Sequence, residues 1–85
     1  MNMNELDVTC EINNDGILTV KGDVFSDPFF TRWFEKYFMS IIRYFFDVEH
    51  ISNMAQFISN WKNYKDDFEA CLIGSIISYA MGAGQ

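Results

Sequence analysis

Eighty-five residues with a formal net charge of −6 make a small acidic chain, of which 49% is hydrophobic and 18% aromatic. At this length we expect one domain, residues 1–85, with a single modest core. The excess of carboxylates disfavours direct binding to nucleic acid or to an anionic membrane surface, since both favour Lys and Arg.

The first predicted element is a strand from Glu5 to Ile12, in which apolar and polar residues alternate without a break. Its apolar set is Leu6, Val8, Cys10 and Ile12, and its polar set is Glu5, Asp7, Thr9 and Glu11. Because successive strand residues point to opposite faces, the carboxylates are expected to share the solvent-facing side.

A second strand follows, with Leu18, Val20, Gly22 and Val24 as its inward-facing set. Residues directly opposite each other in a hairpin share a face, so inward Ile12 must oppose inward Leu18. This register leaves residues 14–16 as a three-residue loop with its glycine in a left-handed bulge position, and it excludes the tighter two-residue Asp-Gly turn. The same register places Asp7 opposite Asp23.

The first helix is predicted to start with Asp27 as its N-cap and Pro28 in its first turn, and to run to about Phe46. Its apolar face comprises Phe30, Trp33, Phe34, Tyr37, Phe38, Ile41, Tyr44 and Phe45, widened by Ile42 and Phe46. The opposite side carries Arg32, Lys36, Met39 and Arg43. We interpret it as the solvent-facing side of the helix.

A second helix is predicted from about Ile51 to Tyr64, because apolar residues recur along one face at helical spacing. Its other face is uncharged and carries Ser52, Asn53, Gln56, Ser59, Asn60 and Asn63. Hydroxyl and amide groups are cheaper to desolvate than carboxylates or ammonium groups, so this face is a second candidate contact surface.

The third helix is expected to start near Asn63, to run to about Met81 and to end at Gly82. Its first turn holds the acids Asp66, Asp67 and Glu69, which suit the positive end of the helix dipole. Small residues recur every four positions, at Ala70, Gly74, Ser78 and Gly82. Such a strip lets another helix approach closely, which is a reason for a glycine inside a helix.

The element order predicts an α+β fold in which a two-stranded antiparallel hairpin packs against three helices. No Gly-rich phosphate loop or nucleophile–base pair accompanies it, and His50 is the only histidine. A position at a helix junction explains His50 without a metal or a proton relay. We therefore predict no enzymatic activity, no cofactor and no bound metal.

The remaining sequence features bear on the cellular location. Cys10 and Cys71 are too few for a disulfide scaffold and are interpreted as buried thiols in a reducing compartment. Residues 1–7 lack the basic region and apolar run of a secretory signal. The longest apolar run, Ala70 to Met81, is too short and too polar for a membrane-spanning helix. We expect a cytoplasmic location.

The acids of the predicted hairpin are the best candidate binding surface. Glu5, Asp7, Glu11 and Asp23 are expected to meet a basic site on a larger protein, with Asn53, Gln56 and Asn60 as a second contact surface. Alternate strand residues lie about 6.8 Å apart, a phosphate-like spacing, so the chain could occlude a nucleic-acid-binding site. An inhibitor or adaptor of this kind has the general character of phage-encoded anti-defence proteins, including anti-CRISPR inhibitors. The alternative is a solvated face whose charges protect the strand edges.

A second hypothesis is a homodimeric structural or assembly subunit without catalytic activity. Its interface would combine the wide edge of the first helix with the small-residue strip of the third, at Ile42, Phe46, Ala70, Gly74 and Ser78. The alternative is a monomer whose own core uses all of this apolar surface.

Overall fold

The computed structural model describes residues 7–83, and its elements follow the predicted order. The strands are β1, Thr9–Ile12, and β2, Leu18–Lys21, and the helices are α1, Pro28–Glu49, α2, Met54–Ser59, and α3, Trp61–Ser78. A 3-10 helix, Asp23–Ser26, precedes α1, and a π-helical turn, Tyr79–Ala83, extends α3. The chain is α+β, with one two-stranded antiparallel sheet and three helices, as predicted.

The hairpin has the register that the alternation predicts. Ile12 pairs with Leu18, and Cys10 pairs with Val20, so the apolar residues of both strands share one face. The turn closes through two main-chain hydrogen bonds, from Asn13 N–H to the Ile17 carbonyl (3.1 Å) and from Gly16 N–H to the Asn13 carbonyl (2.9 Å). Gly16 has φ +78°, so the three-residue loop with a left-handed glycine is confirmed.

Both strands are shorter than predicted. Asp7 and Val8 precede β1, and Glu5 and Leu6 lie outside the described residues. At the same open end of the hairpin, β2 stops at Lys21, and the chain turns into the 3-10 helix. The turn lets Phe25 reach the core, where its ring lies 5.3 Å from that of Phe30. Packing of an aromatic side chain against the core therefore outweighs three further residues of strand pairing.

Capping fixes both ends of α1. The Asp27 carboxylate accepts the N–H groups of Phe29 (2.9 Å) and Phe30 (3.4 Å), which confirms the predicted N-cap. The helix continues past the predicted end to Glu49, where His50 adopts a left-handed conformation, φ 57° and ψ 40°. The Ile51 N–H then donates to the Phe46 carbonyl at 2.8 Å, closing a Schellman motif in which both apolar residues pack inward.

The predicted second helix is divided into two. The Asn53 side chain caps α2 by accepting the Gln56 N–H at 2.9 Å, but the helix ends at Ser59. Asn60 leaves helical geometry at φ −112° and ψ 23°, and α3 begins at Trp61 rather than near Asn63. The change of direction lets the Trp61 ring pack 5.4 Å from Phe57.

The core lies where the sheet and the helices meet, and it is largely aromatic. The fully buried large side chains are Phe30, Phe57, Phe68, Leu72, Ile76 and Cys10. Phe68 contacts the rings of Phe45 and Phe57 edge-on, at 5.2 and 5.3 Å between centroids. Among the described residues no polar or charged residue is buried, so the charges of residues 7–83 lie at the surface.

Candidate functional site

The base of the hairpin carries two exposed carboxylates, Asp7 and Asp23. A Cβ built on Gly22 would lie 2.3 Å from the Asp7 carbonyl oxygen, so the two chain segments approach closely and bring both acids to one end of the hairpin. No salt bridge or side-chain hydrogen bond within residues 7–83 involves either carboxylate. We call this pair the acidic corner. Glu5, which was predicted to join it, lies outside the described residues.

Glu11 is not free in the same way, because its carboxylate forms a salt bridge with Lys65 of α3. This hydrogen bond raises the pKa of Lys65 above its usual value. It is the one ion pair within residues 7–83. Glu11 therefore contributes less uncompensated negative charge than the sequence suggests.

A second polar link between the sheet and the helices was missed by sequence reasoning. The Glu69 carboxylate accepts the main-chain N–H of Cys10 at 2.7 Å, at the outer edge of β1. Because α3 starts at Trp61, Glu69 lies well inside the helix and is not a first-turn acid as predicted. Only the tertiary arrangement brings it to a strand 59 positions earlier in the chain.

This contact also affects the Cys10 thiol. Burial, and secondarily the negative charge of Glu69, raise the pKa of Cys10 from 9.0 to about 12. Burial also raises the pKa of Cys71. The thiolate is the reactive form of cysteine, so a raised pKa lowers the nucleophilic reactivity of both Cys10 and Cys71 near neutral pH.

The predicted amide surface is largely engaged within α2. Asn53 is the N-cap, and the Gln56 side-chain oxygen accepts the Ser52 N–H at 2.9 Å. The Asn60 amide donates to the Gln56 carbonyl at 3.2 Å. These three side chains thus have a structural role in shaping the junction of α2 and α3, which reduces their availability to a partner.

The residues predicted for self-association have separate locations. Ile42 is buried in the core, and the Phe46 ring lies 5.1 Å from Phe57, so both serve the packing of their own chain. Ala70, Gly74 and Ser78 are exposed, and a Cβ built on Gly74 would meet nothing within 4 Å. Close helix packing within the described chain therefore does not explain this glycine.

The small-residue strip forms the floor of an open groove of about 600 Å³ between α1 and α3. Tyr44 and Val48 of α1 form its wall and are 64% and 54% exposed. Glu49 and Asp67 add two carboxylates to the lining. An occupant that complements this groove would therefore need apolar surface and tolerance of negative charge.

The other titratable residues do not converge on a centre. His50 is an exposed helix cap, and residues 7–83 contain no group of three or more metal-ligating side chains. The basic residues of α1 are exposed as predicted, and the Lys36 Nζ lies 5.4 Å from the Tyr37 ring centroid. Within this part of the chain no helix is long and apolar enough to cross a lipid bilayer.

No protein-family model, curated protein or solved structure matches this chain.

Proposed function

We propose that this chain is a small non-catalytic protein-binding domain, an inhibitor or adaptor that covers a basic surface of a larger protein. The observation that carries the proposal is the acidic corner, where Asp7 and Asp23 are exposed and unpaired within the described chain. Such charges steer association with a basic partner and disfavour wrong ones. The site covered would be one that holds nucleic acid, as for phage-encoded anti-defence proteins of the anti-CRISPR type.

The pKa shifts support a role without catalysis. Catalytic nucleophiles and bases are held at pKa values near the working pH, usually in a cleft. The shifts in Cys10 and Cys71 run the opposite way, toward unreactive thiols, and that of Lys65 comes from an ion pair.

Exposed apolar and main-chain groups elsewhere on the hairpin would slow dissociation of the complex. Ile17, at the turn end of the hairpin and opposite the acidic corner, is 58% exposed. The outer edge of β2 pairs with no other strand in residues 7–83, so its main-chain groups can bond to a partner. Charge would therefore set the rate of association, and these contacts the rate of dissociation.

The experiment that tests the proposal compares two charge-matched variants. The tagged protein is used to capture partners from the native cell's lysate at about 50 and about 200 mM salt, with identification by mass spectrometry. D7N/D23N removes the acidic corner, whereas E35Q/D47N removes two exposed carboxylates of α1. We expect one dominant basic partner that the first variant loses and the second retains.

Association rates with the purified partner complete this test. We expect D7N/D23N to lower the association rate constant about tenfold at low salt, with a smaller effect of E35Q/D47N. Equal association rates for the two variants would contradict a role for the acidic corner.

The uncovered groove supports a second candidate, a homodimeric assembly subunit that packs the strip of Ala70, Gly74 and Ser78 against a second copy. Sedimentation over a range of concentrations tests it, since G74L would fill the groove and break such a dimer. The two candidates differ in salt dependence. Because Glu49 and Asp67 line the groove, self-association should strengthen with salt, whereas capture of a basic partner should weaken.

A further inference from the structure

A pocket of about 300 Å³ lies where the start of α1 meets the π-helical turn that follows α3. Four aromatic and two basic side chains line it: Phe29, Arg32, Trp33, Lys36, Tyr37 and Tyr79. Small-molecule sites typically have this composition, a mainly apolar wall with a few charged or polar groups that orient the ligand. The pocket shares no lining residue with the groove between α1 and α3 and is separate from the acidic corner.

Two of the aromatic rings belong to the packed part of the molecule. Trp33 and Tyr79 are half-buried, and their ring centroids lie 4.7 Å apart. The buried Phe30 ring packs against both, at 5.8 Å from Trp33 and 5.5 Å from Tyr79. These contacts join α1 to the turn after α3, so the base of the pocket consists of rings that the core holds in place.

The other two rings are largely open to solvent. Phe29 is 73% exposed, more than any other aromatic side chain in residues 7–83, and Tyr37 is 41% exposed. Exposed rings beside a packed aromatic base offer a surface on which a planar ring can stack. Covering them would also remove apolar area from water. The lining therefore favours an occupant that contains an aromatic ring.

The two basic side chains add a requirement for charge. Arg32 and Lys36 are exposed and form no salt bridge within residues 7–83. They are one helical turn apart, so their Cβ atoms are about 6 Å apart and both side chains can reach one anionic group. The Lys36 Nζ lies 5.4 Å from the ring centroid of Tyr37, which places its ammonium group beside an exposed ring. Among the described residues no carboxylate lines the pocket, so these two positive charges are available to a ligand.

We propose that this pocket binds a small aromatic anion, a molecule in which a planar ring carries or adjoins a phosphate or carboxylate group. The ring would stack on Phe29 and Tyr37, and the anionic group would accept hydrogen bonds from Arg32 and Lys36. A nucleoside monophosphate and an aromatic carboxylate share this chemistry. Because the protein has a net charge of −6, a ligand of small charge meets less repulsion than a polyanion such as nucleic acid.

Nuclear magnetic resonance of the tryptophan indole groups tests the proposal. The chain has two tryptophans, so a ¹⁵N-labelled sample gives two indole N–H signals, which W33F assigns. The full-length protein is titrated at constant ionic strength with adenosine monophosphate and with benzoate, and with the matching anions that lack a ring, inorganic phosphate and acetate. We expect an aromatic anion to move the Trp33 signal in a saturable way, with a dissociation constant of about 1 mM, while the Trp61 signal stays in place. The anions without a ring should bind at least about fivefold more weakly.

A matched pair of charge variants separates this site from the general charge of the surface. R32Q/K36Q removes both basic side chains of the pocket, and R43Q/K62Q removes two exposed basic side chains elsewhere. We expect the first variant to weaken binding about tenfold and the second to weaken it less than about twofold.

A second matched pair tests the exposed ring. F29A should weaken binding about fivefold, whereas Y44A, which removes an exposed ring outside the pocket, should leave it unchanged. Tighter binding of adenosine monophosphate than of benzoate identifies a nucleotide as the ligand, and the reverse order identifies an aromatic carboxylate. The proposal is overturned if neither aromatic anion gives a saturable shift of Trp33, if the anions without a ring bind equally well, or if R32Q/K36Q binds as tightly as R43Q/K62Q.

Discussion

At the scale of single residues, polar side chains in this protein mostly serve main-chain groups that would otherwise lack partners. Asp27 and Asn53 cap helices, and the Asn13 side chain accepts the N–H groups of Asp15 and Ile17 in the hairpin turn. Such caps each contribute about 1 kcal/mol to stability. Their positions follow from local sequence, which is why Asp27 was predictable and Glu69 was not.

The left-handed residue at the end of α1 gives the first prediction. His50 is the only described non-glycine residue with positive φ, a conformation that costs an L-residue about 1 kcal/mol. H50G should therefore raise the free energy of unfolding by about 0.5–1 kcal/mol, as measured by urea denaturation. H50V should lower it, because a β-branched residue tolerates this conformation worst. Equal stabilities for the two variants would contradict the assigned conformation.

The buried thiol gives a pH-dependent prediction. Because folding raises the pKa of Cys10 from 9.0 to about 12, the folded state holds its proton more tightly than the unfolded state. The associated stability is fully present below pH 9.0 and is lost as pH rises toward 12. The free energy of unfolding should thus fall between about pH 8 and about pH 10.5, and fall less steeply in C10A. If the free energy of unfolding of C10A and of the unmodified protein changed in parallel with pH, this role of Cys10 would be ruled out.

At the scale of elements, a short sheet is stabilised by what covers it. A two-stranded hairpin is marginal in isolation, and here α3 covers the edge of β1 through the Cys10 N–H and Glu69. Lys65 adds the ion pair to Glu11 one turn earlier on the same helix. Within the described residues, the edge of the hairpin that remains unpaired is therefore the outer edge of β2, which ends next to Asp23.

Loss of the hydrogen bond between the Cys10 N–H and the Glu69 carboxylate should lower the free energy of unfolding. E69A leaves the Cys10 N–H without its acceptor and should cost about 2 kcal/mol in thermal or urea unfolding. E69Q keeps an acceptor oxygen and should cost clearly less. As a matched control, D66A alters an exposed α3 carboxylate with no salt bridge in residues 7–83 and should change stability by less than about 0.5 kcal/mol. An E69A variant as stable as D66A would show that the contact is dispensable.

At the scale of the whole molecule, the candidate contact surfaces are separate from one another. The acidic corner lies at the base of the hairpin, a pocket lined by asparagines lies between the hairpin turn and the start of α3, and the groove with Gly74 lies between α1 and α3. The acidic corner and the groove differ in their lining, because the first presents two carboxylates and the second presents small and apolar side chains with two carboxylates beside them. A domain of this size can therefore present several distinct surfaces while it has a single hydrophobic core.

Substitution of Gly74 distinguishes a monomer from an assembly in which a second chain packs on the small-residue strip. In a monomer G74A should raise the free energy of unfolding by about 1 kcal/mol, because alanine is the better helix former and nothing obstructs its methyl group. The melting temperature should then not depend on protein concentration. A fall in stability, together with a concentration-dependent melting temperature, would instead indicate that a second chain packs on the strip.

The sequence by itself determined the element order, the hairpin register and the N-cap of α1. Each of these depends on residues a few positions apart: alternation sets the faces of β1 and β2, and Asp27 with Pro28 sets a helix start. Only the tertiary structure decided the early end of β2, the break at Asn60 and the partners of Glu11 and Glu69. Those depend on contacts between residues distant in sequence, where burial of Phe25 and Trp61 outweighs local preference.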